Sequence, residues 1–193
     1  MLWKTTFSRV MSGQDLAQST ASSLMQQMMS GELGPIRTAG LLTALAHKGV
    51  SVPELVGFAE VMRSHAIPVE VSGPLLDTCG TGGSGLHTAN TSTAAAFVVA
   101  SAGVRVAKHG NRSSSGRCGS SDLMEAVGVP ISVGPAAASA LLEAVGIAFL
   151  FAPLYHPAMK EVVPVRRTLG IRTVFNFLGP LCNPQEPNYS YSG

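Results

Sequence analysis

The first seventy residues carry apolar positions at a helical period. Within Asp15 to Ser30, Leu16, Leu24, Met28 and Met29 recur at that spacing, and Gly31 closes the run. A second helix is predicted from Pro35 to Lys48, with Ile36, Ala39, Leu42, Leu45 and Ala46 on one face and Gly49 as its stop. Ser51-Val52-Pro53-Glu54 reads as the cap and first turn of a third helix reaching about His65, whose apolar face is Leu55, Phe58, Ala59 and Met62. These stripes of leucine and methionine are helix packing. No element is predicted ahead of Asp15.

Pro68 to Pro74 is an extended break, and beyond it the pattern changes. Short apolar runs now end in glycine-rich loops that lead into helices, the alternation of a parallel sheet with helices on its faces. Helices are predicted from Ala94 to Ala102, Ser121 to Val127, Gly134 to Val145 and Ala158 to Leu169. Extended segments are predicted at Gly103 to Ala107, Ile147 to Phe151 and Arg172 to Asn176, with loops at 152–157 and 179–184. The expected fold is α/β: a small N-terminal helical bundle over residues 1–70, with the 157–170 helix packing on it, and a larger parallel-sheet domain over 71–193.

Candidate chemistry is concentrated between Asp77 and Asp122. Gly80-Thr81-Gly82-Gly83-Ser84-Gly85 has four glycines in six positions, so its backbone can turn sharply and offer N–H groups to an anion. Asn90-Thr91-Ser92-Thr93 places an amide and hydroxyls where the next helix starts, an end that suits a cap or a phosphate. Lys108-His109-Gly110-Asn111-Arg112, followed by Ser113, Ser114 and Ser115, sets two fixed cations, an imidazole, an amide and three hydroxyls around a glycine. Each piece alone has an ordinary structural reading, as a turn, a cap or a surface histidine. Core packing does not require their combination.

Composition narrows the picture. The chain of 193 residues is 46% hydrophobic, ample for a core, and its net charge of +2 with 12% charged residues is too small for a nucleic-acid surface. The basic cluster Lys108 to Arg117 has no interleaved aromatics, which favours a small phosphorylated ligand over stacked bases. Cys79, Cys118 and Cys182 lie far apart without CxxC spacing, so neither a disulfide framework nor a zinc site is expected, and a reducing cytoplasm fits. Nowhere do eighteen uncharged apolar residues run together, so no membrane span is expected.

GTGGSG, NTST, KHGNRSSS with GSSDLMEAVGV, and NFLGPLCNP stand in an order and spacing that resembles the anthranilate phosphoribosyltransferase family, over about Leu16 to Pro184. The resemblance implies transfer of a phosphoribosyl group from phosphoribosyl pyrophosphate to anthranilate in tryptophan biosynthesis, with Mg2+, by a cytoplasmic homodimer joined through its helical domains. It puts Gly80, Gly83, Ser84, Thr88, Asn90, Thr91, Ser92, Thr93, Lys108, His109, Gly110, Asn111, Arg112, Ser113, Ser114, Ser115, Gly116 and Ser120 around phosphoribosyl pyrophosphate. Gly80, Asn111, Arg166, His109, His156 and Pro180 would meet anthranilate. Ser92 would be the magnesium ligand, and no residue is assigned as a catalyst. Ser84 stands where many members carry Asp, so metal dependence could shift.

In that family the α/β domain continues further and carries an acidic pair that helps hold magnesium. The resemblance therefore implies an α/β domain truncated on its C-terminal side, and a chain inactive alone. Competing readings are a nucleic-acid-binding relative that has lost the chemistry and the pyrimidine nucleoside phosphorylase branch. The first would be expected to lose Asn111 or Arg166, and both are present; the second has different glycine-loop and lysine motifs.

Overall fold

The computed structural model describes residues 3–81, 90–112, 118–185 and 189–190, the last pair as backbone. The chain divides into two compact units, Met1–His65 with Ala158–Leu178, and Ala66–Pro157 with Gly179–Gly193. Its helices are α1 (Trp3–Met11), α2 (Gln18–Met29), α3 (Gly34–Lys48), α4 (Val52–Ser64), α5 (Thr91–Ser101), α6 (Ser120–Ala126), α7 (Pro135–Ala144), α8 (Ala152–Tyr155), α9 (Val163–Leu169) and α10 (Val174–Leu181). The strands are β1 (Leu76–Asp77), β2 (Val106–Gly110), β3 (Ile147–Phe151) and β4 (Tyr189–Ser190). A helical unit and a parallel-sheet α/β unit are the fold class expected.

In the first unit α2 lies against α4, α1 against α3, and α3 against α9. Leu24, Met25, Met28, Leu41, Leu42, Leu45 and Phe58 are sealed from solvent. Gly57 makes the α2–α4 approach possible, because a Cβ there would collide with the Gln18 carbonyl. Glu54 caps α4, its carboxylate accepting from the Ser51 N–H at 2.8 Å, the Leu16 N–H at 2.9 Å and Lys48 Nζ at 2.9 Å. It is wholly buried, so these donors are what allow a carboxylate there. α1 is an addition to the expected elements; its Trp3 and Phe7 rings stack at 4.9 Å, with the Arg37 guanidinium 5.7 Å from the Trp3 ring.

In the second unit the strand order is β3-β2-β1-β4, all parallel. β2 is buried along its whole length, pairing Val106 with Ile147 through Gly110 with Phe151. Ala107, Ala148, Leu150, Leu142 and Tyr155 form one core cluster, and Met124, Ile131 and Phe149 another. Parallel order brings the C-terminal ends of the strands to one edge, where open α/β sheets bind ligands.

Several predicted elements differ: the loop expected at 152–157 opens with α8, and the segment expected at Gly103 to Ala107 is the strand Val106–Gly110. The segment predicted as extended at Arg172 to Asn176 enters helix α10, because Asn176 Oδ1 accepts the Thr173 N–H at 3.0 Å and so closes the first turn. Its apolar run satisfies helix and strand alike. The helix predicted from Ala158 is a 3-10 turn, Pro157–Glu161, followed by α9, with Pro164 in the first turn of α9. The helix predicted from Ala94 starts at Thr91.

Candidate phosphate and cation site at the sheet edge

β1 ends in Asp77-Thr78-Cys79-Gly80, and β2 beside it carries Lys108 and His109. Asp77 is the hub. Its Oδ1 accepts the backbone N–H of Cys79 at 3.0 Å and of His109 at 3.1 Å, and its Oδ2 accepts Asn183 Nδ2 at 2.8 Å. The same Asn183 amide donates to the Ala107 carbonyl at 2.8 Å. Burial pushes the Asp77 carboxyl up to about 6, against the opposing pull of Asn183 and of Lys108.

Lys108 is among the most enclosed large side chains in the chain, 1% exposed. Its Nζ donates to Thr78 Oγ1 at 3.3 Å, to the Thr78 carbonyl at 3.4 Å and to Ser92 Oγ at 3.4 Å. Thr78 Oγ1 in turn donates to the Ser92 carbonyl at 2.9 Å. Burial holds the Lys108 pKa below its ordinary value, and Asp77 acts to restore it. The hydrogen bonds from this ammonium are long and run to neutral oxygens, and Asp77 is the carboxylate whose charge opposes its desolvation.

The start of α5 faces the same ammonium through Ser92. Asn90 is its N-cap: Oδ1 accepts the Thr93 N–H and the Ser92 hydroxyl, each at 3.2 Å. The amide is therefore the cap, while Thr91, Ser92 and Thr93 form the first helical turn. Thr93 is buried and its Oγ1 has no partner among the described residues.

His109 donates from Nδ1 to the Gly179 carbonyl at 3.1 Å, and its ring lies 5.2 Å from that of His156. Burial first, and then His156, pull the His109 pKa down to about 3. Both rings are buried and uncharged at neutral pH. No well-formed hydrogen bond reaches a His156 ring nitrogen among the described residues, although the Cys182 backbone lies near enough to offset part of its desolvation. Pro180, in the last turn of α10, follows the carbonyl that holds His109.

Other candidates behave differently. Arg112 is turned to α6, with Nη1 3.0 Å from Asp122 and both terminal nitrogens on Glu125 at 2.7 and 2.9 Å. Asn111 holds the start of α6 through its carbonyl, which accepts the Ser120 hydroxyl and the Ser121 N–H at 3.3 Å each. Gly110 has a packing reason to be glycine, since a Cβ would strike Phe149 and Ser120 Oγ. Gly80 is half-buried beside Cys79. Arg166 belongs to the helical unit, where its guanidinium sits 5.0 Å from the Phe175 ring. Gly83, Ser84, Thr88, Ser113, Ser114, Ser115 and Gly116 lie outside the described residues.

Asp77, Thr78 and Asn183 were not among the sequence candidates. A carboxylate three residues ahead of a glycine-rich loop is a signal for such an anchor, whereas Asn183 is marked by nothing but proximity in space. An open hollow of about 650 Å³ on the helical unit, lined by Ala17, Gln18, Ser19, Ser22 and Glu60, holds none of the candidate residues.

Residues 72–193 match the family described as "Glycosyl transferase family, a/b domain", and residues 4–66 match its "helical bundle domain". An anthranilate phosphoribosyltransferase from a Roseiflexus species is 50% identical over 185 residues, which cover 96% of this chain and 54% of that protein. Among solved structures, the anthranilate phosphoribosyltransferase of Thermus thermophilus superposes with a TM-score of 0.88 at 46% identity, over 97% of this chain and 57% of that one. The Saccharomyces cerevisiae enzyme in complex with PRPP and Mg gives 0.88 at 28% identity, over 99% and 58%. The chain thus spans about half the length of the curated relatives it matches.

Proposed function

The chain belongs to the glycosyl transferase family with a helical bundle and an a/b domain, and from that premise we propose that it serves phosphoribosyl transfer to anthranilate. The amino group of anthranilate attacks the anomeric carbon of phosphoribosyl pyrophosphate, the bond to pyrophosphate breaks, and N-(5-phosphoribosyl)anthranilate forms on the path to tryptophan. The reaction asks for a stabilised leaving anion and two reactants held in line rather than for a covalent catalyst.

The observation that carries this reading is the buried Lys108 ammonium, directed at Ser92 and Thr78 where β1 ends and α5 begins. A diphosphate there would meet a desolvated cation and the N-terminal end of α5. Gly80, with Asn90, Thr91, Ser92 and Thr93, would supply further donors, and Asn111, Arg112, Ser113, Ser114, Ser115, Gly116 and Ser120 complete the proposed set of contacts. His109, His156 and Pro180 offer an uncharged surface for the anthranilate ring. Arg166, on the helical unit, carries the planar fork that suits a carboxylate.

Magnesium fits this arrangement to the extent that Ser92 Oγ is a neutral hard oxygen beside the diphosphate position. Bound there, it would neutralise charge on the leaving group. We place the protein in the cytoplasm as a homodimer joined through its helical bundle; the free thiols support the first, and exposed Met11, Ile36 and Val52 on that bundle the second.

Calorimetric titration of the chain with phosphoribosyl pyrophosphate and magnesium tests the reading. Lys108→Met, folded as judged by circular dichroism, should bind at least about tenfold more weakly, the equivalent of about 1.4 kcal/mol. Equal binding by parent and variant would overturn it.

A further inference from the structure

A carboxylate, a thiol and an imidazole converge where β1 and β2 end. Asp77, Cys79 and His109 each bring one ligand atom to within 4.8 Å of the other two. The proposed transfer chemistry does not use the trio as a set, and a magnesium ion held through Ser92 has little affinity for thiolate or imidazole.

The local bonding leaves each member able to ligate. Asp77 accepts two hydrogen bonds on Oδ1 and one on Oδ2, so Oδ2 keeps a free lone pair. The Asn183 amide and the two backbone donors hold this carboxylate in place without using it up. His109 is oriented by the Gly179 carbonyl at Nδ1, the kind of outer bond that fixes the ring of a metal-ligating histidine. Its Nε2 is buried with no partner among the described residues. Cys79 Sγ makes only a weak bond to the Gly80 carbonyl at 3.6 Å, and burial raises its pKa to about 12, so it is a neutral thiol until an ion displaces its proton.

We propose that Asp77, Cys79 and His109 form a binding site for a borderline-soft divalent cation of the zinc type, separate from the oxygen-ligated position at Ser92. Tetrahedral zinc, with bonds of about 2.0 Å to nitrogen or oxygen and about 2.3 Å to sulfur, holds its ligand atoms roughly 3–4 Å apart. From their present positions within 4.8 Å of one another, the three atoms have to draw together to reach that spacing. Ligation transfers the Cys79 thiol proton to solvent, and the fourth position stays open to water. The mixed donor set selects zinc or cadmium over magnesium, because thiolate and imidazole favour softer ions.

Cadmium is the spectroscopic probe and zinc the competitor, with neither phosphoribosyl pyrophosphate nor anthranilate in the cell, so the result is independent of the transfer reading. Cadmium should raise a thiolate-to-metal charge-transfer band that saturates at one equivalent and is reversed by zinc. Cys79→Ser should abolish the band and weaken zinc binding at least about tenfold, while Cys118→Ser leaves both unchanged. On the unaltered chain, zinc should slow alkylation of Cys79 as followed by peptide mass spectrometry, and His109→Gln should remove that protection. No band in the parent, a band that survives Cys79→Ser, or zinc protection of Cys118 or Cys182 in place of Cys79 would overturn the proposal.

Discussion

Lys108 and His109 are neighbours on one buried strand, and burial acts on both by disfavouring charge. For His109 the folded pKa of about 3 lies below the ordinary 6.5, so the unfolded chain binds the extra proton between those values. Its stabilising contribution is full above pH 6.5 and is lost as pH falls toward 3. His156 is shifted in the same direction. Asp77 is opposite: held at about 6 against 3.8, it contributes most below 3.8 and loses that contribution as pH rises through 6. Two histidines against one carboxyl predict a net loss of stability on acidification from pH 7 to 4.5. Urea titrations should show His109→Gln with a shallower decline, the difference reaching at most about 1.4 kcal/mol per pH unit for one proton; parallel declines would refute this. Gly110→Ala tests close packing on the same strand. With Phe149 and Ser120 in the way, it should destabilise by roughly 1–3 kcal/mol in the same assay.

At the level of elements, helix ends and helix contacts rest on single residues. Asn90 caps α5 and also holds the Ser92 hydroxyl. Asn90→Ala should cost about 1 kcal/mol by the ordinary value of a cap, and in calorimetry should weaken phosphoribosyl pyrophosphate binding as well, because Ser92 loses its acceptor. A change in stability with binding untouched would separate the cap from the ligand site. Gly57 is the corresponding point for α2 and α4. Gly57→Ala forces the helices apart against the Gln18 carbonyl, and thermal unfolding should show a loss of about 1–3 kcal/mol, despite the better helix propensity of alanine.

Over the whole molecule, residues distant in sequence are joined through buried polar contacts. Asn183 lies 106 positions from Asp77 and donates to it in the interior. Asn183→Ala would leave a buried carboxylate short of a donor and the Ala107 carbonyl without this partner, so about 1.5–3 kcal/mol should be lost in urea unfolding. Asn183→Asp, which sets two carboxyls together, should be worse at pH 8 than at pH 5. The proposed association through the helical bundle is tested by sedimentation at micromolar concentration: a dimer should form, and Ile36→Glu, at a residue 86% exposed, should favour the monomer without altering helix content.

The sequence alone determined the two classes of architecture, most helix positions and the stretches from Gly80 and from Lys108, because period, glycine placement and capping residues act over a few neighbours. It also fixed the cap-forming role of the Ser51 to Glu54 stretch. What it could not decide was where helical and extended readings are equally satisfied by an apolar run: α10 was settled by the Asn176 bond to the Thr173 backbone. Nor could it tell that Arg112 faces Glu125, that Gly110 is glycine for Phe149, or that Asp77 is the anchor of the site. Those depend on which strands pair and on what lies across the sheet edge, and long-range pairing leaves no local period in the chain.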